Sequence, residues 1–145
     1  MREGLYTNYE GHLLQVNTIR DNDEEVVVSY QNEEDALPGF ISSRHEPGRY
    51  IKVVNLSSIE NAFEACNFAL YKGHEFSLFK TKDPSRYKIF TNDKTLQDEL
   101  ALIEVNKDWF GKDVNNIDLE KIWTKNLPAL GLPMPSNVKA IEYIK

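Results

Sequence analysis

Two histidines at matching positions are the residues of this sequence that come nearest to suggesting chemistry. His12 follows Tyr9-Glu10-Gly11, and His74 follows Tyr71-Lys72-Gly73. Two imidazoles brought together can share a metal ion or exchange protons. A metal site needs three or four ligands, however, and no cysteine or further histidine lies at ligand spacing. The alternative is that the position after a turn glycine tolerates a half-exposed imidazole. His45, the third histidine, lies in a polar segment and has no counterpart in the other half of the chain. Because a set of three or four ligands is missing, we predict no metal site and no cofactor.

The candidate nucleophiles form no catalytic motif. Cys66 falls on an apolar stripe, where a small buried hydrophobic residue is the usual explanation. Ser57 and Ser58 precede a predicted helix and are better explained as capping residues. The sequence has no nucleophile elbow, phosphate-binding glycine loop or zinc-binding His-Glu-x-x-His segment. We therefore predict no catalytic residue and no enzyme activity, and keep an enzyme of unknown type only as a third hypothesis, because loops can assemble sites without a motif.

The composition is that of a globular protein with an acidic surface. Hydrophobic residues make up 41% of the chain and charged residues 28%, and no apolar run is long enough for a membrane span. A single cysteine excludes an internal disulfide and fits a reducing compartment, so we expect a cytoplasmic protein. The net charge of −6 argues against binding a nucleic-acid backbone and is compatible with a basic protein partner.

Acidic residues are concentrated on either side of one predicted strand, Glu25–Tyr30. Such turns are often only solubilising, but they can also steer a basic partner toward this part of the protein. Two aromatic residues nearby can anchor an interface, or can equally belong to the core. The predicted partner-binding residues are Asp21, Asp23, Glu24, Glu25, Glu33, Glu34, Asp35, Tyr30 and Phe40.

The chain contains an internal repeat. Residues 9–12 recur at 71–74, an offset of 62, and the offset also matches Leu14 with Phe76. Residues 50–63 recur at 110–123 with an offset of 60. Two blocks in the same order with nearly the same spacing indicate a duplication.

Each copy begins with three predicted strands. In the first copy these are Leu5–Tyr9, His12–Ile19 and Glu25–Tyr30, and in the second Asn67–Tyr71, His74–Lys80 and Tyr87–Thr91. Alternating apolar residues and tight turn dipeptides predict an antiparallel meander in each copy. Gly11 and Gly73 are needed in the hairpins because glycine adopts positive φ at little cost.

A helix is predicted after each meander. Ser57-Ser58-Ile59-Glu60 resembles a capping box, and Ile59, Ala62, Phe63 and Cys66 follow at helical spacing. In the second copy Asn116 is the predicted cap, and Leu119, Ile122 and Trp123 form the matching stripe. Residues 94–103 can form another helix.

The predicted class is therefore α+β, with two tandem copies of a three-stranded antiparallel meander followed by a helix, packed as one pseudo-twofold unit. We expect residues 1–145 to form a single globular unit of two similar subdomains, about 4–66 and 67–130, with a C-terminal strand in 131–145. Residues 63–70 are apolar, which argues against a flexible linker there.

The second copy resembles a known group of proteins. Ala69-Leu70-Tyr71-Lys72-Gly73-His74-Glu75-Phe76, then residues 107–114 and 119–122, resemble small bacterial immunity proteins of polymorphic or contact-dependent toxin systems. The similarity covers about residues 50–128, and its motifs lie at scaffold positions. This resemblance implies a cytosolic protein that protects the producing cell by binding a toxin domain, and it carries over no binding residue.

The leading hypothesis is an immunity protein that neutralises a cognate toxin domain by stoichiometric binding. The toxin is expected to be a basic nuclease. We expect no membrane partner and no nucleic-acid partner. The alternative is a small nucleic-acid- or peptide-binding module, which requires a basic or aromatic-lined groove. Lys80, Lys82, Arg86 and Lys88, around the second meander, are the candidates for that groove.

Overall fold

The fold is known from a computed structural model, which describes residues 1–19, 24–31 and 36–145. Strands account for 53% of the residues and helical segments for 8%, so this is a largely antiparallel β protein. Contacts divide the chain into two compact units. The first unit comprises Gly4–Glu64 and Leu127–Val138, and the second comprises Met1–Glu3, Ala65–Asn126 and Lys139–Lys145.

The first unit contains five strands in the part of the chain that the structure describes. They lie in the spatial order β4-β5-β3-β2-β1, and neighbouring strands pair in antiparallel fashion. A register shift between Val16 and Thr18 marks a β-bulge in β2. The strands are β1 (Gly4–Tyr9), β2 (His12–Ile19), β3 (Glu25–Gln31), β4 (Ile41–Ser42) and β5 (Arg49–Asn55).

The second unit is built mainly from strands in the order β6-β7-β8-β10-β9, with β11 pairing with β6 and β12. A short helix, α1 (Thr95–Glu99), connects β8 to β9. The strands are β6 (Phe63–Tyr71, whose first two residues belong to the first unit), β7 (His74–Lys80), β8 (Arg86–Thr91), β9 (Ile103–Asn106), β10 (Trp109–Asn115), β11 (Lys121–Pro128, whose last two residues belong to the first unit) and β12 (Ile141–Tyr143).

Both predicted hairpin glycines adopt the expected conformation. Glu10 and Gly11 have φ of 50° and 81°, and Lys72 and Gly73 have φ of 48° and 79°. Two successive residues with positive φ define the two-residue turns that match the twist of antiparallel strands. Each turn connects a pair of adjacent strands, β1 to β2 and β6 to β7.

The prediction of an α+β fold with a helix after each meander is wrong. Single 3₁₀ turns, Leu56–Ser58 and Asn116–Asp118, stand where the helices were expected, and strands β6 and β11 follow them. The Ser58 hydroxyl donates to the carbonyl oxygen of Asn55, so it caps no helix. Ile59 and Ala62 precede β6, and within β6 the pattern is that of a strand, since every second residue is buried from Phe63 to Tyr71.

One polar residue concealed this alternation. Asn67 is buried on the inward face of β6, where its amide donates to the carbonyl oxygen of Arg2 at 2.7 Å and accepts from the Thr124 hydroxyl at 2.5 Å. These bonds compensate the cost of burying an amide. A sequence pattern that counts apolar residues alone misses such a position.

Each unit has its own apolar core. In the first unit the buried residues include Leu14, Val16, Val26, Val28, Val54 and Ile59. The core of the second unit includes Phe76, Leu78, Ile89, Val114 and Leu119, joined by residues from α1 and the loop after it.

Candidate functional site

Most of the predicted acidic partner site lies where the structure gives no description. Asp21, Asp23, Glu33, Glu34 and Asp35 fall outside the described residues. Glu24 and Glu25 stand at the start of β3, where Glu24 is exposed and Glu25 is half-buried opposite Asn55.

Glu24 lies at the rim of a groove in the first unit. Its carbonyl oxygen accepts a hydrogen bond from the Leu56 amide at 2.7 Å, which holds the start of β3 against the 3₁₀ turn. The groove has a volume of about 690 Å³ and is lined on its apolar side by Leu56, Ile59, Leu130 and Leu132. A carboxylate beside aliphatic side chains suits a partner segment that carries both a cationic and an apolar residue.

Tyr30 and Phe40 lie together, but not beside Glu24. Their rings meet edge to face with centroids 5.2 Å apart, and the Tyr30 hydroxyl accepts from the Leu37 amide at 2.6 Å. Both rings pack against the core of the first unit. Tyr30 is five strand residues from Glu25, a separation of about 17 Å. These aromatic residues therefore have a packing role, and the structure does not join them to Glu24 and Glu25 in one site.

The charge of the protein is concentrated in one unit. The first unit has 4 Lys and Arg against 11 Asp and Glu, a net charge of −7. The second unit has 13 Lys and Arg against 12 Asp and Glu, a net charge of +1. Any electrostatic attraction of a basic partner is therefore directed at the first unit.

The histidines and the cysteine are not gathered into a site. His12 is exposed at the start of β2, and the His74 ring lies 3.9 Å from the Glu99 carboxylate at the protein surface. Cys66 is half-buried in β6, not in a helix as predicted. Within residues 1–19, 24–31 and 36–145, no three His, Cys, Asp or Glu side chains are grouped as metal ligands.

Two aspartates form matching local turns in the second unit. Hydrogen bonds from the Ser85 hydroxyl and amide lower the pKa of Asp83 from 3.8, and the same groups of Thr95 lower the pKa of Asp93. The hydroxyl bonds, at 2.7 and 2.6 Å, are the largest cause in each case. Both carboxylates are exposed and engaged in stabilising turns, so they indicate local structure and not acid–base chemistry.

The second unit has an exposed aromatic groove, defined by Phe79, Phe90 and Trp109 on β7, β8 and β10. Its volume is about 320 Å³. Phe79 and Trp109 are 45% and 43% exposed, and the Phe79 and Phe90 rings meet edge to face at 5.5 Å. The groove lies on the face of the sheet opposite the core, because β7 directs Phe76 and Leu78 inward.

Strand pairing fixes the floor of the aromatic groove. Phe90 pairs across the sheet with Ser77 on one side and Gly111 on the other. A Cβ at Gly111 would lie 2.5 Å from both the Phe90 ring and the Ile89 carbonyl oxygen. The absent side chain at Gly111 thus lets the Phe90 ring lie flat against the strand beside it.

The outer wall of the aromatic groove comes from β9, the last strand on this side of the second unit's sheet. Val105 lines the groove, and Ile103 lines its continuation of about 350 Å³ past Gly111. A register shift between Trp109 and Phe110 separates the exposed Trp109 from the buried Phe110. Such bulges commonly redirect side chains at sheet edges.

The sequence contained a signal for this groove that our predictions missed. Leu78-Phe79, Ile89-Phe90 and Trp109-Phe110 are adjacent apolar residues, and neighbours in a strand point to opposite faces. Three such pairs on neighbouring strands indicate that the sheet is apolar on both faces, although only one face is needed for the core.

The fold and these surfaces define a small antiparallel β protein with an exposed groove in each unit. Residues 1–129 match the model of a family described as Uncharacterised conserved protein UCP033725, and the chain belongs to that family. No curated protein and no solved structure matches the chain. In the described part of the chain, no helix is long and apolar enough to cross a membrane.

Proposed function

We propose that this protein is an immunity protein, which neutralises a cognate toxin domain by binding it in a 1:1 complex. The class is suggested by the resemblance of residues 69–76, 107–114 and 119–122 to immunity proteins. The proposed toxin is a basic protein such as a nuclease, and the immunity protein acts in the cytoplasm of the producing cell. Inhibition then needs affinity and shape, not a catalytic residue.

The observation that carries this proposal is the uneven distribution of charge. The first unit has a net charge of −7, and Glu24 stands in that unit at the rim of an apolar groove. A nuclease that binds a phosphate backbone has a cationic active site, to which an acidic surface is complementary. Such complementarity accelerates association and selects the partner, while apolar contact supplies much of the affinity.

A toxicity test examines the proposal directly. Toxin and immunity genes are commonly neighbours, so the C-terminal domain of the adjacent reading frame is expressed with and without this protein. We expect growth arrest from the domain alone and survival when both are present. Arrest in both cultures would contradict immunity to that domain.

Charge variants then test the surface. In Asp21→Asn, Asp23→Asn, Glu24→Gln and Glu25→Gln combined, we expect association with the toxin domain to slow by about tenfold at low salt. The wild-type rate should fall toward the variant's rate as salt rises. Glu104→Gln, an exposed carboxylate change in the second unit, is the control. Association that is insensitive to salt would remove the acidic surface from the mechanism.

An enzyme remains a different class of function. It requires turnover that is lost on substitution of His12 or His74, the residues first considered for chemistry. An immunity protein retains full protection in His12→Ala and His74→Ala, so the same toxicity test distinguishes the two classes.

A further inference from the structure

We propose that the aromatic groove of the second unit binds single-stranded nucleic acid, with bases stacked on Phe79, Phe90 and Trp109. This is a second binding site, on a different unit from the acidic groove, and it does not depend on the proposed function. The ligand class follows from two features that lie side by side, an aromatic platform and a cationic hairpin.

The platform places aromatic side chains at an exposed groove. Its three aromatic side chains come from three neighbouring strands and line one groove on an open face of the sheet. Every base has a flat face that can stack on such a ring, so aromatic side chains on a sheet bind single strands without needing a particular sequence. Bases paired within a duplex are already stacked on one another and cannot reach the rings.

The cations lie next to the platform. Residues 80–88, which join β7 to β8 and extend into β8, contain Lys80, Lys82, Arg86 and Lys88 against one carboxylate, Asp83. Lys88 pairs directly across the sheet with Phe79 and lines the continuation of the groove beside Phe90. A backbone whose bases rest on the rings therefore has lysines within reach of its phosphates.

We expected no nucleic-acid partner because of the net charge of the whole chain, but the two units do not share that charge equally. The negative charge belongs to the first unit, while the second has a net charge of +1. Asp113 is the carboxylate that lines the groove's continuation, where it pairs across the sheet with Lys88. It opposes phosphate at that point, which gives the test a residue whose removal should improve binding.

Fluorescence anisotropy with a labelled 12-nucleotide oligothymidylate tests the proposal on the full-length protein. We expect binding at 50 mM NaCl and much weaker binding of a duplex of the same length. Contact between phosphates and the three cations Lys82, Arg86 and Lys88 gives a slope of about −2 in the logarithm of affinity against that of salt. Affinity should then fall by about 20-fold on a fourfold rise in salt.

Matched variants locate the site. We expect Trp109→Ala and Phe79→Ala each to weaken binding by about tenfold, since both rings are exposed and contribute stacking. Tyr143→Ala, which removes a 75% exposed ring from β12, should leave affinity unchanged. Lys88→Gln should weaken binding, Asp113→Asn should strengthen it about twofold, and Lys121→Gln on β11 should have no effect. Circular dichroism and thermal unfolding of each variant check that the fold is retained.

Two results would overturn the proposal. One is no binding of the oligonucleotide by the wild-type protein at 50 mM NaCl. The other is binding that Trp109→Ala, Phe79→Ala and Lys88→Gln leave unchanged. A labelled peptide of alternating leucine and glutamate is measured in parallel. Its carboxylates can contact the same lysines, and its aliphatic side chains can enter the same groove. If this peptide binds at the groove and the oligonucleotide does not, the ligand is a protein segment and the proposal is wrong.

Discussion

The two units share a strand register but not a surface. In the first unit Asn55 pairs with Glu25 across β5 and β3, and in the second Asn115 pairs with Arg86 across β10 and β8. The next five pairs along these strands also correspond, and the last pair of the first unit, Gln31 with Arg49, has no counterpart between β8 and β10. Inward-facing residues also correspond, since Val54 and Val114 are both buried. Positions that hold the sheet and core together are thus alike in the two units, whereas exposed positions give one unit its acidity and the other its aromatic groove.

A cation over an aromatic ring recurs at the same place in both units. Lys52 Nζ lies 5.5 Å from the centre of the Tyr9 ring, and Lys112 Nζ lies 5.2 Å from that of Tyr71. In each case the lysine comes from the strand before the 3₁₀ turn and the tyrosine from the strand before the hairpin glycine. The positions that the two units share are therefore not all apolar, because they include this half-buried contact between a lysine and a tyrosine.

The cross-strand pair that differs most between the two units provides the strongest test of this comparison. Phe90 and Gly111 pair in the second unit where Ser29 and Ile51 pair in the first, with the large and small residues exchanged. We expect Gly111→Ile to destabilise the protein by about 3 kcal/mol in denaturant unfolding, because its Cβ would collide with the Phe90 ring and the Ile89 carbonyl.

Adding Phe90→Ser to Gly111→Ile installs the first unit's pair in the second. We expect this double variant to recover about half of the lost stability, since the ring contact disappears and the carbonyl contact stays. No recovery would show that the collision with the Ile89 backbone alone decides the cost.

The next largest effect is expected from removing the lysine that lies over a tyrosine ring in each unit. We expect Lys112→Met to cost about 2 kcal/mol and Lys52→Met about 1 kcal/mol. The difference arises because Lys112 also donates to the carbonyl oxygen of Leu100 at 3.1 Å. Chemical denaturation measures both, and equal losses would mean that the second ring contact of Lys52, with Phe40 at 5.9 Å, stabilises the protein as much as this hydrogen bond.

The hairpin glycines should behave identically. A Cβ added at Gly11 or at Gly73 would have no atom within 4 Å, so Gly11→Ala and Gly73→Ala introduce only backbone strain at φ near 80°. We expect about 1 kcal/mol for each in thermal unfolding. A difference of more than that amount would show that the two turns are not equivalent.

The smallest expected effect is on the stability of the protein at acidic pH. The pKa of Asp83 and Asp93 is lower in the folded protein than the ordinary 3.8, so their contribution is complete above about pH 4 and is lost as pH falls through the folded-state pKa. In Asp83→Asn with Asp93→Asn, we expect stability to depend less on pH below about 4 than in the wild type. Asp118→Asn is a control that removes an exposed carboxylate elsewhere in the second unit. A pH profile identical to the wild type would contradict this role.

Periodicity and turn chemistry predicted the strands of each meander to within a few residues, because alternation and turn glycines are local properties. The helices were predicted wrongly because Ile59, Ala62, Phe63 and Cys66 happen to match helical spacing as well. The choice between the two periods depends on Asn67, whose burial needs hydrogen bonds to Arg2 and Thr124, far away in the chain. Such partners are not visible in a local pattern.

The acidic candidates followed from composition alone, and among those that the structure describes, Glu24 lies at the rim of a groove. The aromatic groove could not be predicted in the same way. Phe79, Phe90 and Trp109 are separated by 11 and 19 residues in the sequence, and only the order β7-β8-β10 brings them together. Adjacent apolar residues indicate a second apolar face, but not which faces are neighbours.

The segment after Asn126 serves both units. Residues 127–138 belong to the first unit, where the Ala62 amide donates to the carbonyl oxygen of Pro133, and residues 139–145 complete the second by way of β12. Protein synthesis proceeds from the amino end, so a nascent chain that has reached Asn126 still lacks contacts in each unit. Each unit therefore gains part of its contacts only after residues 127–145 have been synthesised, so the two units depend on the same stretch of chain for their completion.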